Sequence, residues 1–362
     1  MMYRVLIVGA GPTGALIANG LRRELQQKVA IVMWDKSKGT GGRMSTSRSP
    51  TDEKCIADLG AQYISVLPDY ATKHAGYYKD LLDSGLIKSL AGKIEGIREK
   101  YFNPDTKNYV TPNGISSIVK HYLKKSGAVV NFDHHLSRVE VDNSTSADHP
   151  RLAAFSADSS TEGAFDAVVL TMPVPQILQQ EGLTRQSLDE NSPLRQKLEE
   201  VQYSSRYALA LFYPPGVSID LPFVGKYVEG DPCIRWVSLD NKKRGADDSV
   251  GPSLVVHTSV PFGIKHLEES KENIQPIILQ HLKAVIPNLP EPASIKCQKW
   301  RYSQVSKPME GAPGHVTILE QQSYLLLAAG DGFSHSNFDG CIESAESTLS
   351  KLLEFFQKSS QL

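Results

Sequence analysis

Four stretches of the chain are apolar almost without interruption: residues 5–8, 29–34, 165–170 and 324–329. A strand covered on both faces reads this way because neither side meets water, so these predict buried strands. A different period appears in between. Tyr70, His74, Tyr77, Tyr78, Leu81 and Leu82 recur at helical spacing and predict a helix over 70–85. Further helices are expected over 114–125, 270–286 and 337–356, with a strand at 129–132. Residues 207–213, 224–228, 234–239, 254–260 and 295–300 are rich in β-branched and aromatic residues, with turn residues between them. That composition predicts a mixed or antiparallel sheet. Polar stretches at 143–151, 157–163 and 242–252, proline turns at 286–292 and 306–314, and a tail from about Lys358 predict loops. The expected fold is α/β, with the second sheet inserted into the first unit. The expected domains are 1–75, 110–200 and 301–362 for the discontinuous first, and 76–109 with 201–300 for the insertion.

The first strand runs directly into Gly9-Ala10-Gly11-Pro12-Thr13-Gly14. Gly9 permits the tight turn, Gly11 lets backbone approach a diphosphate, and Gly14 lets helix and strand pack closely. A helix beginning near Pro12 aims its unpaired N–H groups and positive dipole end at that diphosphate. The next apolar strand ends at Asp35, placed where a carboxylate reaches a ribose hydroxyl. Strand, turn, helix and acid together predict a Rossmann-type dinucleotide site.

Three further features lean towards FAD. Gly41-Gly42-Arg43 follows Asp35, so chain can wrap a diphosphate while Arg43 offsets its charge or sits near a flavin. Asp58-Leu59-Gly60-Ala61-Gln62-Tyr63 reads as a strand-like return that would set Gln62 and Tyr63 beside the redox ring. Gly330-Asp331, after the last strand, suits a ribityl hydroxyl. The helix that follows, opening at Asn337-Phe338, would point its positive end at the ring and stabilise reduced flavin. Val139 completes the expected cofactor contacts.

Composition narrows the function classes. Lys+Arg 39 against Asp+Glu 40 over 362 residues leaves no charge field for nucleic acid or an anionic membrane. Cys55, Cys233, Cys297 and Cys341 lie far apart, too few for a disulfide framework and wrongly spaced for zinc. They are expected to be mostly buried thiols, and His134-His135 to be structural, so no metal site is expected. No run of eighteen apolar residues predicts a membrane span. The apolar stretch near the N-terminus is the first strand, so removing it as a signal peptide would destroy the nucleotide site. The sequence alone favours the cytosol.

The order of these motifs resembles the flavin amine oxidase and p-hydroxybenzoate hydroxylase superfamily. More narrowly, the chain resembles the vertebrate renalase family over nearly its whole length. The residues that carry this include Trp34-Asp35-Lys36, Ala57-Asp58-Leu59-Gly60-Ala61-Gln62-Tyr63-Ile64, Gly114-Ile115-Ser116-Ser117-Ile118, Leu170-Thr171-Met172-Pro173-Val174-Pro175, Tyr203-Ser204-Ser205-Arg206-Tyr207, Lys299-Trp300-Arg301 and Gly330-Asp331-Gly332-Phe333. The resemblance implies bound FAD, with Thr13, Arg43, Gln62 and Tyr63 at flavin-contacting positions. It implies oxidation of off-pathway 2- and 6-dihydro isomers of NAD(P) to β-NAD(P)+, with O2 accepting the electrons to give hydrogen peroxide. It also implies secretion by a non-cleaved route, and an influence on blood pressure and cardiac function. Catecholamine oxidation, assigned to the family earlier, is the same-class alternative, and a secreted signalling protein with an incidental flavin is the other. The expected partners are a small dinucleotide and O2, and the oligomeric state stays open, a monomer included.

Hydride transfer from a dihydropyridine is driven by aromatisation, so no catalytic side chain is expected beyond the flavin itself. Polar groups within the apolar middle strands are the candidate substrate contacts. Trp300 or Tyr227 would stack on a nicotinamide, Arg235 would meet phosphate or carboxamide, and His257 would donate a hydrogen bond. Ordinary core aromatics, a surface ion pair and a core histidine are the respective plain alternatives. Asp240-Asn241-Lys242-Lys243-Arg244-Gly245 is read as a solvated basic hairpin. Cys341 does not carry the pattern of a covalent flavin link, so FAD is expected to be held non-covalently.

Overall fold

The first strand, Tyr3–Val8, takes a central place in a six-stranded sheet. Val29–Trp34 lies parallel to it on one side and Ala167–Leu170 on the other. Val129–Asn131 follows beyond the second strand, and Leu325–Ala329 extends the other side, also in parallel. Only His315–Glu320, at the edge, runs antiparallel. The structure is a computed structural model and describes residues 2–99, 103–144, 149–157, 161–246 and 249–359. Residues 145–148, 158–160 and 247–248 of the predicted loops, and 360–362 of the predicted tail, lie outside the described residues.

By packing, the chain divides into two units, 1–42 with 119–202 and 305–362, and 43–118 with 203–304. Residues 43–75 and 110–118 pack in the second of these units.

In the first unit, the sheet's core is fully apolar: Val5, Leu6, Ile7, Val168, Val169, Leu325, Leu326 and Leu327 are all inaccessible to water. The helix Pro12–Leu25 packs against the closing helix Phe338–Ser359. Gly20 makes that approach possible, since a Cβ there would meet Leu349 Cδ2 at 2.6 Å. Tyr3 locks the end of the same contact, stacking on Phe356 at 4.2 Å and donating its hydroxyl to the Phe356 carbonyl. A four-stranded sheet of Leu136–Asp142, Arg151–Ser156, Thr161–Phe165 and Glu181–Gly182 completes this unit. Part of it falls where loops 143–151 and 157–163 were expected. Its buried positions do not alternate strictly, Leu152, Ala153 and Ala154 running in succession, so the strand period is faint in the sequence.

The second unit is built on the predicted mixed sheet, in the order Ser294–Lys307, Gln202–Phe212, Ser253–Thr258, Ile234–Leu239, Gly225–Tyr227 and Ile94–Glu95. The helix Lys271–Val285 contributes Ile274, Ile278 and Leu282 to an apolar core with Leu209, Leu211, Val237 and Val256 from one face of this sheet. The helix predicted over 70–85 is two, Pro68–Lys73 and Ala75–Asp83, broken at buried His74, and Leu82 faces solvent. The strand expected in Asp58–Tyr63 ends at Asp58, and irregular chain carries Leu59 to Tyr63.

Candidate active site

In the first unit the glycine turn sits at the carboxyl end of the first strand, the usual ligand edge of an open parallel sheet. Gly9 has φ +118°, and a Cβ there would lie 2.4 Å from Thr171 Oγ1. Gly14 would bring a Cβ within 2.2 Å of the Gly9 carbonyl oxygen, whereas Gly11 faces open space. Pro12 opens the helix, Gly11 caps it without any side-chain hydrogen bond, and Thr13 is buried in its first turn. The first N–H groups thus stay available to an anion.

Ala10 ties the second glycine loop to the first. Its N–H donates to Asp35 Oδ2 at 2.8 Å, and its carbonyl accepts from Gly41 N–H and Thr40 Oγ1. Asp35 Oδ1 also accepts from the Ser37 N–H and hydroxyl, which fixes the carboxylate. Gly42, at φ +53°, turns back so that its Cβ direction meets Gly11 Cα at 3.7 Å.

The late Gly-Asp corner arrives at the same edge. Gly330 follows the strand next to Ala167–Leu170, and its Cβ direction points at the Thr171 carbonyl, 3.6 Å away. Thr171 itself donates to Val8 and Gly9 carbonyls. Asp331 is buried and accepts from Ser336, while Asn337 Oδ1 caps the closing helix through the Gly340 N–H. Phe338 is buried at that helix's start. Val139 is buried in the four-stranded sheet, paired with Ala154. An open position at Gly11, two glycine loops in contact and an uncapped helix start fit the diphosphate of FAD.

In the second unit, cross-strand register sets one face of the sheet. Ala208 lies opposite His257, His257 opposite Trp236, and Trp236 opposite Tyr227. Side chains directly opposite share a face. Gln62 reaches this face as a hub. Its Oε1 accepts from Trp236 Nε1 at 3.1 Å, Ser238 Oγ at 2.9 Å and Lys243 Nζ at 3.0 Å. Its Nε2 donates to the Asp58 and Gly60 carbonyls and lies 3.4 Å from His257 Nε2. An amide nitrogen can only donate, so His257 Nε2 is an unprotonated acceptor in this contact. The His257 pKa agrees, pulled down to about 3 by burial first and then by Arg206 and Lys243.

Tyr63 and Tyr227 share a 2.7 Å hydroxyl–hydroxyl bond beside the Trp236 ring. Burial, and then Tyr227, raise the Tyr63 phenol above its usual value. Arg235 lies over the Tyr227 ring at 5.1 Å and donates to the Val228 carbonyl. Trp300 packs beside Cys55, Ala57, Leu59 and Ala208, and spends its indole N–H on the Leu59 carbonyl at 2.9 Å. It therefore braces the loop that carries Gln62.

One expectation is overturned here. Asp240–Arg244 is a short helix, not a solvated hairpin, and Asp240 and Lys243 are 0 % and 2 % exposed. Lys243 Nζ stands 2.5 Å from Asp240 Oδ1, with Arg244 at 3.6 Å from Oδ2. Asp58 lies against them, its N–H donating to Asp240 Oδ2 and its Oδ1 accepting from Thr46 and the Ile115 N–H. The charges are buried because Asp240, in the same helix, pairs with both, while the distant Gln62 Oε1 and Ile56 carbonyl accept from Lys243 and Arg244, contacts that a local reading of Lys-Lys-Arg misses. Burial, and then Asp240, raise the Asp58 pKa to about 6. Burial would raise Asp240 too, but Lys243 and Arg244 outweigh it and hold Asp240 below its usual value. Sequence reasoning also missed Trp236, Ser238 and Lys243 as the partners of Gln62. The alternation Trp236, Ser238 along one strand was the available signal.

Comparison with known proteins agrees with this architecture. Residues 7–81 match the NAD(P)-binding Rossmann-like domain family, and residues 66–348 the flavin-containing amine oxidoreductases. Renalase of Mus musculus is 43% identical over 356 residues, 98% of this chain and 100% of that protein. The chain belongs to the renalase family of flavin-containing amine oxidoreductases. It is accordingly a FAD-dependent oxidoreductase. A crystal structure from Exiguobacterium sp. 255-15, provisionally named a protoporphyrinogen oxidase, superposes with a TM-score of 0.70 over 98% of this chain and 100% of that one. At 15% identity that likeness speaks to the fold. Among the described residues, no helix is long and apolar enough to cross a membrane.

Proposed function

We propose that this flavoprotein oxidises 2- and 6-dihydro isomers of NAD(P) to β-NAD(P)+, with O2 taking the electrons to give hydrogen peroxide. The observation that carries the reading is the sign of charge on the second unit's site face. Its partly exposed polar side chains are Gln62, Tyr63, Arg206, Tyr227, Arg235 and His257, each neutral or cationic. The nearby carboxylates, Asp58 and Asp240, are buried against Lys243 and Arg244. Such a face favours an anionic dinucleotide over the ammonium form of an amine.

Bound FAD supplies the hydride acceptor and the route to O2. The chain's own share is to hold and orient. The proposed cofactor residues are, in the first unit, Gly9, Gly11, Thr13, Gly14, Asp35, Gly42, Gly330, Asp331, Asn337, Phe338 and Val139 and, in the second, Arg43, Gln62 and Tyr63. Tyr227, Arg235, His257 and Trp300 are the proposed substrate residues, Trp300 acting through Leu59. His257 stays neutral, able to bond a carboxamide without repelling the pyridinium product. Ring aromatisation removes any need for a base. Secretion, with the effect on blood pressure and the heart that the resemblance implies, belongs to the same proposal, by a route that leaves Tyr3–Val8 in its sheet.

Anaerobic mixing of the yellow enzyme with 6-dihydro-NAD(P), and separately with a catecholamine, tests the reading. Bleaching near about 450 nm within seconds is expected with the dihydronicotinamide alone. Bleaching by the amine alone would transfer the activity to amines.

A further inference from the structure

Two arginines on the site face have no acidic partner. Among the described residues neither Arg206 nor Arg235 forms an ion pair with a carboxylate, although most of the chain's other part-buried cations do. Arg206 donates through Nη1 to Ser204 Oγ, Ser303 Oγ and Gln304 Oε1 at 2.8–3.2 Å, all neutral acceptors. Those bonds fix the guanidinium plane and leave Nε and Nη2 without hydrogen bonds. Arg235 likewise uses only Nη1, on the Val228 carbonyl.

Their placement is unusual in a second way. The ladder between Ile234–Leu239 and Ser253–Thr258 shifts register between Ile234 and Trp236, which is at Arg235. A bulge re-aims one side chain out of the strand's alternation. Here Arg235 comes to the Tyr227 ring, on the face that Trp236 and His257 share. Arg206 is near enough to both Arg235 and His257 for the charges to be felt: burial, and then Arg235, pull Arg206 below its usual pKa. Two like charges held close, each with unspent donors and no counter-charge, destabilise the empty protein and call for a dianion.

We propose that Arg206 and Arg235 form a clamp for the diphosphate of the substrate dinucleotide, with its nicotinamide end towards His257 and Gln62. The guanidinium edge matches phosphate oxygens in pairs, which an ammonium group cannot do. The assignment rests on the dinucleotide reading above and gives that substrate its anchoring residues.

The experiment is calorimetric titration of the FAD-loaded protein with ADP-ribose and with nicotinamide riboside, which lacks the diphosphate. Arg206→Gln and Arg235→Gln are each expected to weaken ADP-ribose binding ten- to a hundredfold, with nicotinamide riboside unchanged. Arg206→Lys, which keeps the charge but loses the fork, should recover only part of the affinity. Rising salt should weaken ADP-ribose on the wild type more than on either Gln variant. Unchanged flavin absorbance, with an unfolding midpoint in the Gln variants no lower than the wild type's, excludes a folding defect. Wild-type affinity for ADP-ribose in both Gln variants would overturn the clamp while leaving the oxidase reading intact. Failure of the enzyme to oxidise any dihydronicotinamide, with the affinity losses present, would keep the clamp and retire the proposed reaction.

Discussion

Gly11 and Gly14 lie three positions apart and do different work, which gives a test at the scale of single atoms. An alanine methyl at 14 has to occupy the space of the Gly9 carbonyl oxygen, so the strand and helix must part. Gly14→Ala is expected to lower the unfolding midpoint of the FAD-free protein as well as its FAD affinity. The methyl of Gly11→Ala points into open space. It should leave apoprotein stability unchanged and still cost at least about tenfold in FAD affinity, by blocking the diphosphate. Fluorescence titration with FAD, beside melting curves of both apoproteins, separates the two. Gln62 is the other exacting residue. Gln62→Leu strips the acceptor from Trp236, Ser238 and Lys243 together, and the buried ammonium suffers most. A loss of about 3–5 kcal/mol in urea unfolding is expected. The glycines were readable from sequence because they stand at fixed spacing between an apolar strand and a helix. The hub was not readable, since a glutamine's partners are chosen by the fold and sit more than 170 positions away.

At the scale of an element, the short helix Asp240–Arg244 holds charges that the core tolerates only as a set. Asp240→Asn takes from buried Lys243 and Arg244 the carboxylate that both pair with, and a cost of about 3–5 kcal/mol is expected in urea unfolding. Asp58 beside it behaves oppositely. Its folded pKa is raised from 3.8 to about 6, so the folded protein holds this proton more tightly than the unfolded chain. The stability it contributes is present below about pH 4 and is lost as pH rises through about 6, up to about 3 kcal/mol. Asp58→Asn should therefore match or exceed the wild type at pH 7 and fall behind it at pH 4. His257 has the reverse sign. Its folded pKa is pulled from 6.5 to about 3, so its contribution is present above pH 6.5 and drains away as pH falls towards 3. His257→Asn should flatten that acid limb in urea midpoints measured from pH 7 to 4. The five main strands of the inserted sheet were legible, because β-branched runs between turns have few other uses. The helix was not, because a run of Lys and Arg reads as surface until the acceptors from elsewhere in the chain, Gln62 Oε1 and the Ile56 carbonyl, are placed against it.

On the scale of the molecule, the first unit is stitched from both ends of the chain. Tyr3 on Phe356, and Gly20 under Leu349, join the first strand and helix to the last helix. Phe356→Ala removes a fully buried ring and is expected to cost about 3–5 kcal/mol. FAD release on mild heating should accelerate in parallel, because that helix also backs Gly330 through Ser344. Burial lifts the Cys55 and Cys297 thiols to about 11 and Cys233 to about 12. A reducing agent should leave the melting temperature unchanged, and acid precipitation should release the flavin into the supernatant. This discontinuous plan was visible in the sequence, as strands and glycine corners at both ends flanking a different sheet. The placement of residues 43–75 was not, since their short strands and loops carry little periodicity and join the insertion through side chains such as Asp58 and Gln62.

That stitching sets the order of events during synthesis. The strand Leu325–Ala329 and the Gly330 corner leave the ribosome only after the whole inserted unit, whereas the glycine turn emerges first. A nascent chain therefore exposes half a cradle with nothing to close it, and flavin capture waits until the Gly330 corner has emerged. Cells short of riboflavin would accumulate colourless, full-length polypeptide whose first unit is the part left open to proteases.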